Sequence, residues 1–479
     1  MATNPKSCEI LRHNRKYIPG GVVSVNRKVE PEIVFVRADG AYMWDADGKQ
    51  YIDYHAAFSP YFLGHNHPRV VEAVAKILRD GSSLPGTGTT VLEGQLAELL
   101  CENIEAVDSI ILLNTGSEAT SQAIRLARAV TGRDHIIVTQ GGYNGWYDDV
   151  ARKVMAPLEE IGSRVSPGEY RFIPMGSGIP ASHQQTTHVI NFNDLDSVRY
   201  VCERYPVAAL ITEPILQNIG IVKPQPGYLA GLRELADRYG FVLIFDEVKT
   251  GFRYSFGGYN ELSQVKPDLV TYGKAIANGY PLAVLGGKSE LMNYFIHPDK
   301  SRRPLLAGTY NAHPVPVSAA IATLELLLEN EGEVYRCVDA LGAKMEKGLE
   351  AILGSLEVEG IVARQGSAFC VYFMDHAPRD WHDLAQHHNF EADTKWRRAL
   401  IDRGVYIFPE ATKQCSISTT HTEADVAFTL EQMLETLKMI TSDGASRLRI
   451  SHSSTSSIEE HPPRLNESIV SNPNLVIDG

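Results

Sequence analysis

The chain has 479 residues, 44% of them apolar, enough to bury one large core or two to three domains, and no apolar run reaches membrane-spanning length. Its 58 acidic residues outnumber 45 Lys and Arg, and the formal charge of -13 argues against nucleic acid as the main partner while leaving room for a local basic pocket. Cys8, Cys101, Cys202, Cys337, Cys370 and Cys415 form no C-x-x-C pair, and the first residues carry neither signal-peptide nor transit-peptide character, so a reducing, cytoplasmic location without membrane contact is expected.

Residues 33–54 (IVFVRADGAYMWDADGKQYIDY) alternate apolar and polar side chains and carry Ala-Asp-Gly twice, which predicts antiparallel hairpins in a small N-terminal lobe. From about residue 104 to 287, short apolar runs alternate with helical patterns, the signature of a mainly parallel sheet covered by helices. The clearest runs are 109–113, 136–139, 208–211, 241–245, 269–271 and 282–285. Beyond them, 317–329 and 334–353 predict amphipathic helices, 368–373 and 405–408 short strands, and 423–440 a further helix, together a second α/β layer packed with the N-terminal lobe. From 441 the composition turns Ser-rich (SHSSTSS at 451–457), which predicts a disordered tail without a catalytic role. The expected organisation is an N-terminal segment 1–70 of the small lobe, a large domain 71–330, a C-terminal small domain 331–440 and the tail 441–479.

In an open parallel sheet, ligands sit beyond the carboxyl ends of the strands, so the polar residues that follow apolar runs are the ones that matter. After SIILL, Thr115, Gly116 and Ser117 open a helical pattern whose free N–H groups suit a phosphate; an ordinary helix cap is the plain alternative. After HIIVTQ, Tyr143 stands on a glycine-rich turn, either to lie on a planar cofactor or merely to pack. FVLIF runs directly into Asp246, whose carboxylate needs a cation such as a protonated pyridine nitrogen, or an arginine such as Arg253. After DLVTY comes Lys274, where burial and nearby positive charge would free a neutral amine; most lysines are only solvated surface. Residues 212–218 follow VAALI and offer amide and carboxylate groups, Glu213 and Asn218 among them, to a phenolic oxygen.

Other motifs fail. Gly287-Lys288-Ser289 lacks the first P-loop glycine, which falls on Leu282, and no G-x-G-x-x-G or G-x-S-x-G is present. His65 and His67 find no third ligand in the sequence, so no metal site is expected.

With these residues in place, the chain resembles the class III aminotransferases of the fold-type I pyridoxal-phosphate superfamily, especially their glutamate-1-semialdehyde aminomutase-like branch. The resemblance runs from about 19 to 440 and rests on PGGVVSVNR (19–27), DGAYMWDADGKQYIDY (39–54), GHNHP (64–68), NTGSEAT (114–120), TGRDHII (131–137), GGYNGW (141–146), TEP (212–214), FDEVKTGFR (245–253), YGKAIANGYPLAVLGG (272–287) and AGTYNAHP (307–314). It implies a large domain with a mainly parallel seven-stranded sheet and a smaller α/β lobe built from both termini. It implies pyridoxal 5'-phosphate (PLP) held as a Schiff base by Lys274, with Asp246 on the pyridine nitrogen, Val248 and Tyr143 on the two ring faces, Thr115, Gly116 and Ser117 on the phosphate, and Asn218 near the phenolic oxygen. It also implies a homodimer in which Thr309 reaches the neighbouring phosphate, and a substrate carboxylate on Arg27.

The expected activity is amino-group transfer from an amino acid or amine to a keto-acid acceptor. The alternatives are the intramolecular transfer of glutamate-1-semialdehyde 2,1-aminomutase and a PLP-binding protein without catalysis. The chain departs from the mutase pattern at 275–280 and 143–146, and Lys413 stands where an acidic residue is expected, a cation suited to the carboxylate of a second substrate.

Overall fold

The alternation after residue 33 becomes three antiparallel strands in the computed structural model, which describes residues 4–442: β1 (Phe35–Asp39), β2 (Tyr42–Asp45) and β3 (Gln50–Asp53). Asp45 closes the β2–β3 turn, its Oδ1 accepting from the N–H groups of Asp47 (3.0 Å) and Lys49 (2.8 Å) and its Oδ2 from the Tyr51 hydroxyl (2.7 Å). Such Asx-type bonds replace ladder partners that a reversing backbone loses.

Seven strands build the large sheet: β4 (Ser109–Leu113), β5 (His135–Thr139), β6 (Thr187–Ile190), β7 (Val207–Thr212), β8 (Val242–Asp246), β9 (Leu269–Tyr272) and β10 (Ala283–Gly287), in the order β4-β10-β9-β8-β7-β5-β6. All neighbours run parallel except β10, which is antiparallel to both β4 and β9. The apolar runs predicted six of these strands; β6 escapes because Thr187-His188-Val189-Ile190 offers only two consecutive apolar residues. Both faces are covered. Ile137, Leu210 and Leu243 point into one core cluster, and Ile136, Val138, Ile211 and Ile244 into another, the period of two that buried strands require.

The small lobe continues with β11 (Ile361–Gln365), β12 (Ala368–Tyr372), β13 (Val405–Tyr406) and β14 (Cys415–Ser416). β11, β12 and β14 form an antiparallel sheet, whereas β13 pairs in parallel with β3, joining the N-terminal hairpins to the C-terminal lobe. Helices Glu333–Ser355, Phe390–Asp402 and Glu423–Ser442 pack on it through Met345, Leu349, Trp396, Leu400, Met433 and Leu437. The last helix runs two residues past the boundary expected at 440, to Ser442; the Ser-rich segment at 451–457 lies outside the described residues.

Candidate active site

Five strand ends, those of β4, β5, β7, β8 and β9, converge at the carboxyl edge of the large sheet. Asp246 ends β8 and is 3% exposed. Its Oδ2 accepts from Asn144 Nδ2 (2.9 Å), and its Oδ1 from Val248 N (3.2 Å) and Thr271 Oγ1 (3.3 Å). Burial nevertheless pushes the carboxyl above its ordinary range, against these bonds and the field of Lys274. Arg253, the sequence alternative as its partner, lies elsewhere: its guanidinium donates to the Ser59 carbonyl and to Ser367 Oγ (3.3 Å).

Lys274 follows β9 and begins a single 3-10 turn (Lys274–Ala277) with φ +48°, a left-handed conformation costing a non-glycine residue about 1–3 kcal/mol. The loop is held in place by Asn278, whose side chain accepts from Leu63 N (3.0 Å) and donates to Gly64 O (2.9 Å). Burial lowers the Lys274 ammonium toward the neutral amine, with Asp246 and Glu213 opposing. β8 and β9 are adjacent and Asp246 is in register with Thr271, which brings this acid and this amine to the same edge.

After β5 the chain turns at Gly141 (φ +85°) into Tyr143. The buried Arg152 pins that turn from below, donating to the carbonyls of Thr139 (2.6 Å) and Gly142 (2.8 Å). Tyr143 N donates to Glu213 Oε1 (2.9 Å), and burial raises its phenol, with Ser117 opposing. Glu213 Oε2 accepts from Gln217 N (2.9 Å); burial and the proximity of Asp246 push this carboxyl upward.

Thr115 caps helix Gly116–Thr131: Thr115 Oγ1 accepts from Glu118 N (3.2 Å), while the Glu118 carboxylate accepts from the N–H groups of Asn114 and Thr115. The N–H groups of Gly116 and Ser117 have no acceptor within the helix and open a positive helix end toward the cleft. A Cβ on Gly116 would lie 2.8 Å from Val248 Cγ1, so only glycine lets Val248 close on this cradle. Val248, Tyr143, Asp246 and Lys274 thus border one cleft whose rim is the helix start.

Gln217 and Asn218 lie in the loop after β7, and two lysines bond their backbone: Lys249 Nζ donates to Gln217 O (2.8 Å) and Lys413 Nζ to Asn218 O (3.0 Å). The Gln217 side chain is fully buried with neither amide atom partnered, an arrangement that costs roughly 1–3 kcal/mol until something meets it. Thr309 is exposed on a segment whose Asn311 accepts from Asn114 Nδ2 (3.0 Å) beside the cradle. Arg27 ends an exposed turn (Val25–Arg27), and no hydrogen bond or ion pair among the described residues ties it to the cleft.

Asn144, Arg152, Gln217 and Lys249 were not singled out from the sequence, whereas the Glu213 carboxylate was; Lys249 carried the one available signal, a charge inside the otherwise specific FDEVKTGFR. Away from the cleft, His376, Asp383 and His387 bring metal-ligating atoms within 4.8 Å of one another, but Asp383 already accepts from Arg379 N (2.9 Å) and from its guanidinium. The cleft fits a phosphorylated pyridine aldehyde: a buried acid without an ion-pair partner for the ring nitrogen, a lowered amine for the carbonyl and an open helix start for the phosphate.

The family described as aminotransferase class-III matches residues 23–440. Glutamate-1-semialdehyde 2,1-aminomutase of Syntrophomonas wolfei is 36% identical over 443 residues, spanning 90% of this chain and 98% of the relative. An omega-transaminase from Sphaerobacter thermophilus has a similar structure, with TM-score 0.83 at 28% identity over 92% of this chain and 98% of the other. So does a glutamate-1-semialdehyde-aminomutase from Pseudomonas aeruginosa PAO1 in complex with PMP, with TM-score 0.80 at 26% identity over 91% and 95%.

Proposed function

The chain belongs to the class III aminotransferases, with the fold-type I architecture and pyridoxal 5'-phosphate as cofactor, and from that premise we propose that it transfers an amino group from an amino acid or amine to a keto acid, with Lys274 and Asp246 as its catalytic residues. The observation that carries the reading is the meeting, on adjacent strand ends, of a lowered amine and a raised carboxyl that has no ion pair among the described residues.

When bound, the cofactor's conjugated ring supplies the electron withdrawal that loosens bonds at the carbon bearing the substrate amine. Asp246 holds the proton on the ring nitrogen, kept oriented for this by Asn144 and Thr271. Lys274 Nζ, poised toward the neutral amine, would hold the cofactor and move the proton at the substrate Cα. Thr115, Gly116 and Ser117 would hold the phosphate, Tyr143 and Val248 the ring, and Asn218 the phenolic oxygen. Thr309 reaches the phosphate of a second copy in a homodimer, and Arg27 takes a substrate carboxylate.

Lys413 supports transfer between two molecules: its ammonium stands in the cleft without a carboxylate partner among the described residues, ready for an acceptor acid. The names of the curated relatives favour a second reading, intramolecular transfer by a glutamate-1-semialdehyde 2,1-aminomutase. Incubating the PLP-loaded protein with candidate amines, with and without pyruvate or 2-oxoglutarate, separates the two. Amino transfer that requires the acceptor supports the first; isomerisation of glutamate-1-semialdehyde without any acceptor supports the second and overturns the first. A cytoplasmic setting belongs to the same proposal: all six cysteines are free, and no described helix is long and apolar enough to cross a membrane.

A further inference from the structure

Lys249 reaches the cleft from the loop after β8, and Lys413 reaches it from the small-lobe loop before β14. The two amine groups end on the carbonyls of consecutive residues, Gln217 (2.8 Å) and Asn218 (3.0 Å), so two separate parts of the fold deliver two basic groups to one place. An ammonium has three donors. Beyond these carbonyls only Met155 Sδ, 3.0 Å from Lys413 Nζ, engages either group, and neither lysine has an ion pair with a carboxylate among the described residues.

Glu213 does not neutralise them. Its two oxygens are taken by the N–H groups of Tyr143 and Gln217, and burial beside Asp246 pushes it toward the uncharged acid. Burial and the field of Lys274 in turn disfavour the charge on Lys249. An anion arriving in the cleft opposes both effects and restores the ammonium form. The buried, unpartnered amide of Gln217 supplies a further donor at the same dipeptide. The fields of both lysines also fall on His55, whose ring packs against Phe58 (4.3 Å between centroids) and Phe408 (4.8 Å), an aromatic wall suited to a methylene chain.

On the reading that Lys274 carries the cofactor, we propose that Lys249, with Lys413 and Gln217, forms an anion subsite beside it that receives the second carboxylate of a dicarboxylic substrate, Arg27 being left for the first. Lys249 is the specificity-determining residue of this site.

The test compares glutarate, a five-carbon dicarboxylate without an amine, with pentanoate, its monocarboxylate counterpart. Binding is read by the visible absorbance of the PLP-loaded enzyme and by calorimetry on the cofactor-free protein. We expect glutarate to bind at least about tenfold more tightly than pentanoate, the preference to fall below about threefold in Lys249→Met, and Lys249→Arg to keep most of it. Should Lys249→Met not fold, Lys249→Gln and Lys413→Met report the same ratio. Equal affinities in the natural protein, or an intact preference in the folded Lys249 variants, overturn the subsite. Failure of the underlying reading looks different: no covalent label on Lys274 after borohydride reduction, whatever the glutarate preference.

Discussion

Burial drives Asp246 toward the neutral acid and Lys274 toward the neutral amine, and each is the form least costly to hold until a cofactor brings the complementary charge. Lys274→Ala should therefore admit cofactor but lose at least about a thousandfold in turnover, since nucleophile and proton carrier vanish together; wild-type turnover would remove Lys274 from the chemistry. Asp246→Asn exchanges a charged hydrogen bond of about 1.5–3 kcal/mol for a neutral one, which predicts a rate loss of roughly 10- to 100-fold with PLP retained. Lys413 gives a pH signature. Burial lowers it to about 8, so its cation is present below that pH and fades as pH rises through it. Glutarate affinity should decline above about pH 8, and titrations of Lys413→Met should lack that step. Lys274 and Asp246 were legible in the sequence because each sits directly after an apolar run. Asn144, Arg152 and Lys249 were not, because their roles depend on which loops meet across the sheet.

At the scale of elements, the cleft is shaped by backbone conformations that the fold holds against their own preference. Ala56, Ala57, Phe58 and Ser59 all have positive φ, the last 80°, and none is glycine. This turn is tied on three sides, by Asp53 accepting from His55 N (2.8 Å) and Ala56 N (2.9 Å), by Arg253 donating to Ser59 O, and by Ser416 Oγ bonding Ser59 Oγ (3.0 Å). Nothing in the local sequence announces it, since the ties come from residues up to 357 positions away. Helix Gly116–Thr131 is the opposite case: its cap is written in Thr115 and Glu118. Thr115→Ala should cost about 1 kcal/mol in denaturant unfolding. Gly116→Ala should weaken PLP binding more than Thr115→Ala does, because its Cβ displaces Val248 as well as crowding the cradle; equal PLP affinity in both variants, by equilibrium dialysis, would contradict the cradle. Of the strands, β6, β11 and β14 escaped the sequence reading because their apolar runs are short and interrupted.

For the molecule as a whole, the parallel pairing of β3 with β13 makes the N-terminal hairpins and the C-terminal lobe one body, so the chain's first and last thirds stabilise each other. Buried charge clusters hold that region. Burial opposes ionisation of Asp393, but Arg397 (2.6 Å) and His388 (3.1 Å) outweigh it, and His65 (2.8 Å) does the same for Asp53. Both carboxyls are held below their ordinary value of 3.8. Their stabilisation is complete above that pH and is lost as pH falls through the lower folded values, so acid unfolding should steepen below about pH 4. Asp393→Asn strands a buried arginine and should cost about 3–5 kcal/mol at neutral pH while flattening the acid limb. On the surface, Leu305 (71% exposed), Tyr310 (64%) and Trp146 (70%) stand beside the cradle, an apolar face that fits the proposed homodimer; light scattering should give twice the chain mass.

The most direct measurement is reduction of the PLP-loaded protein with borohydride, followed by proteolysis and mass spectrometry. The account predicts a pyridoxyl group on the ε-nitrogen of the peptide containing Lys274, with Lys249 and Lys413 unmodified. A label on either of those lysines instead, or none at all in protein that binds PLP, would contradict it.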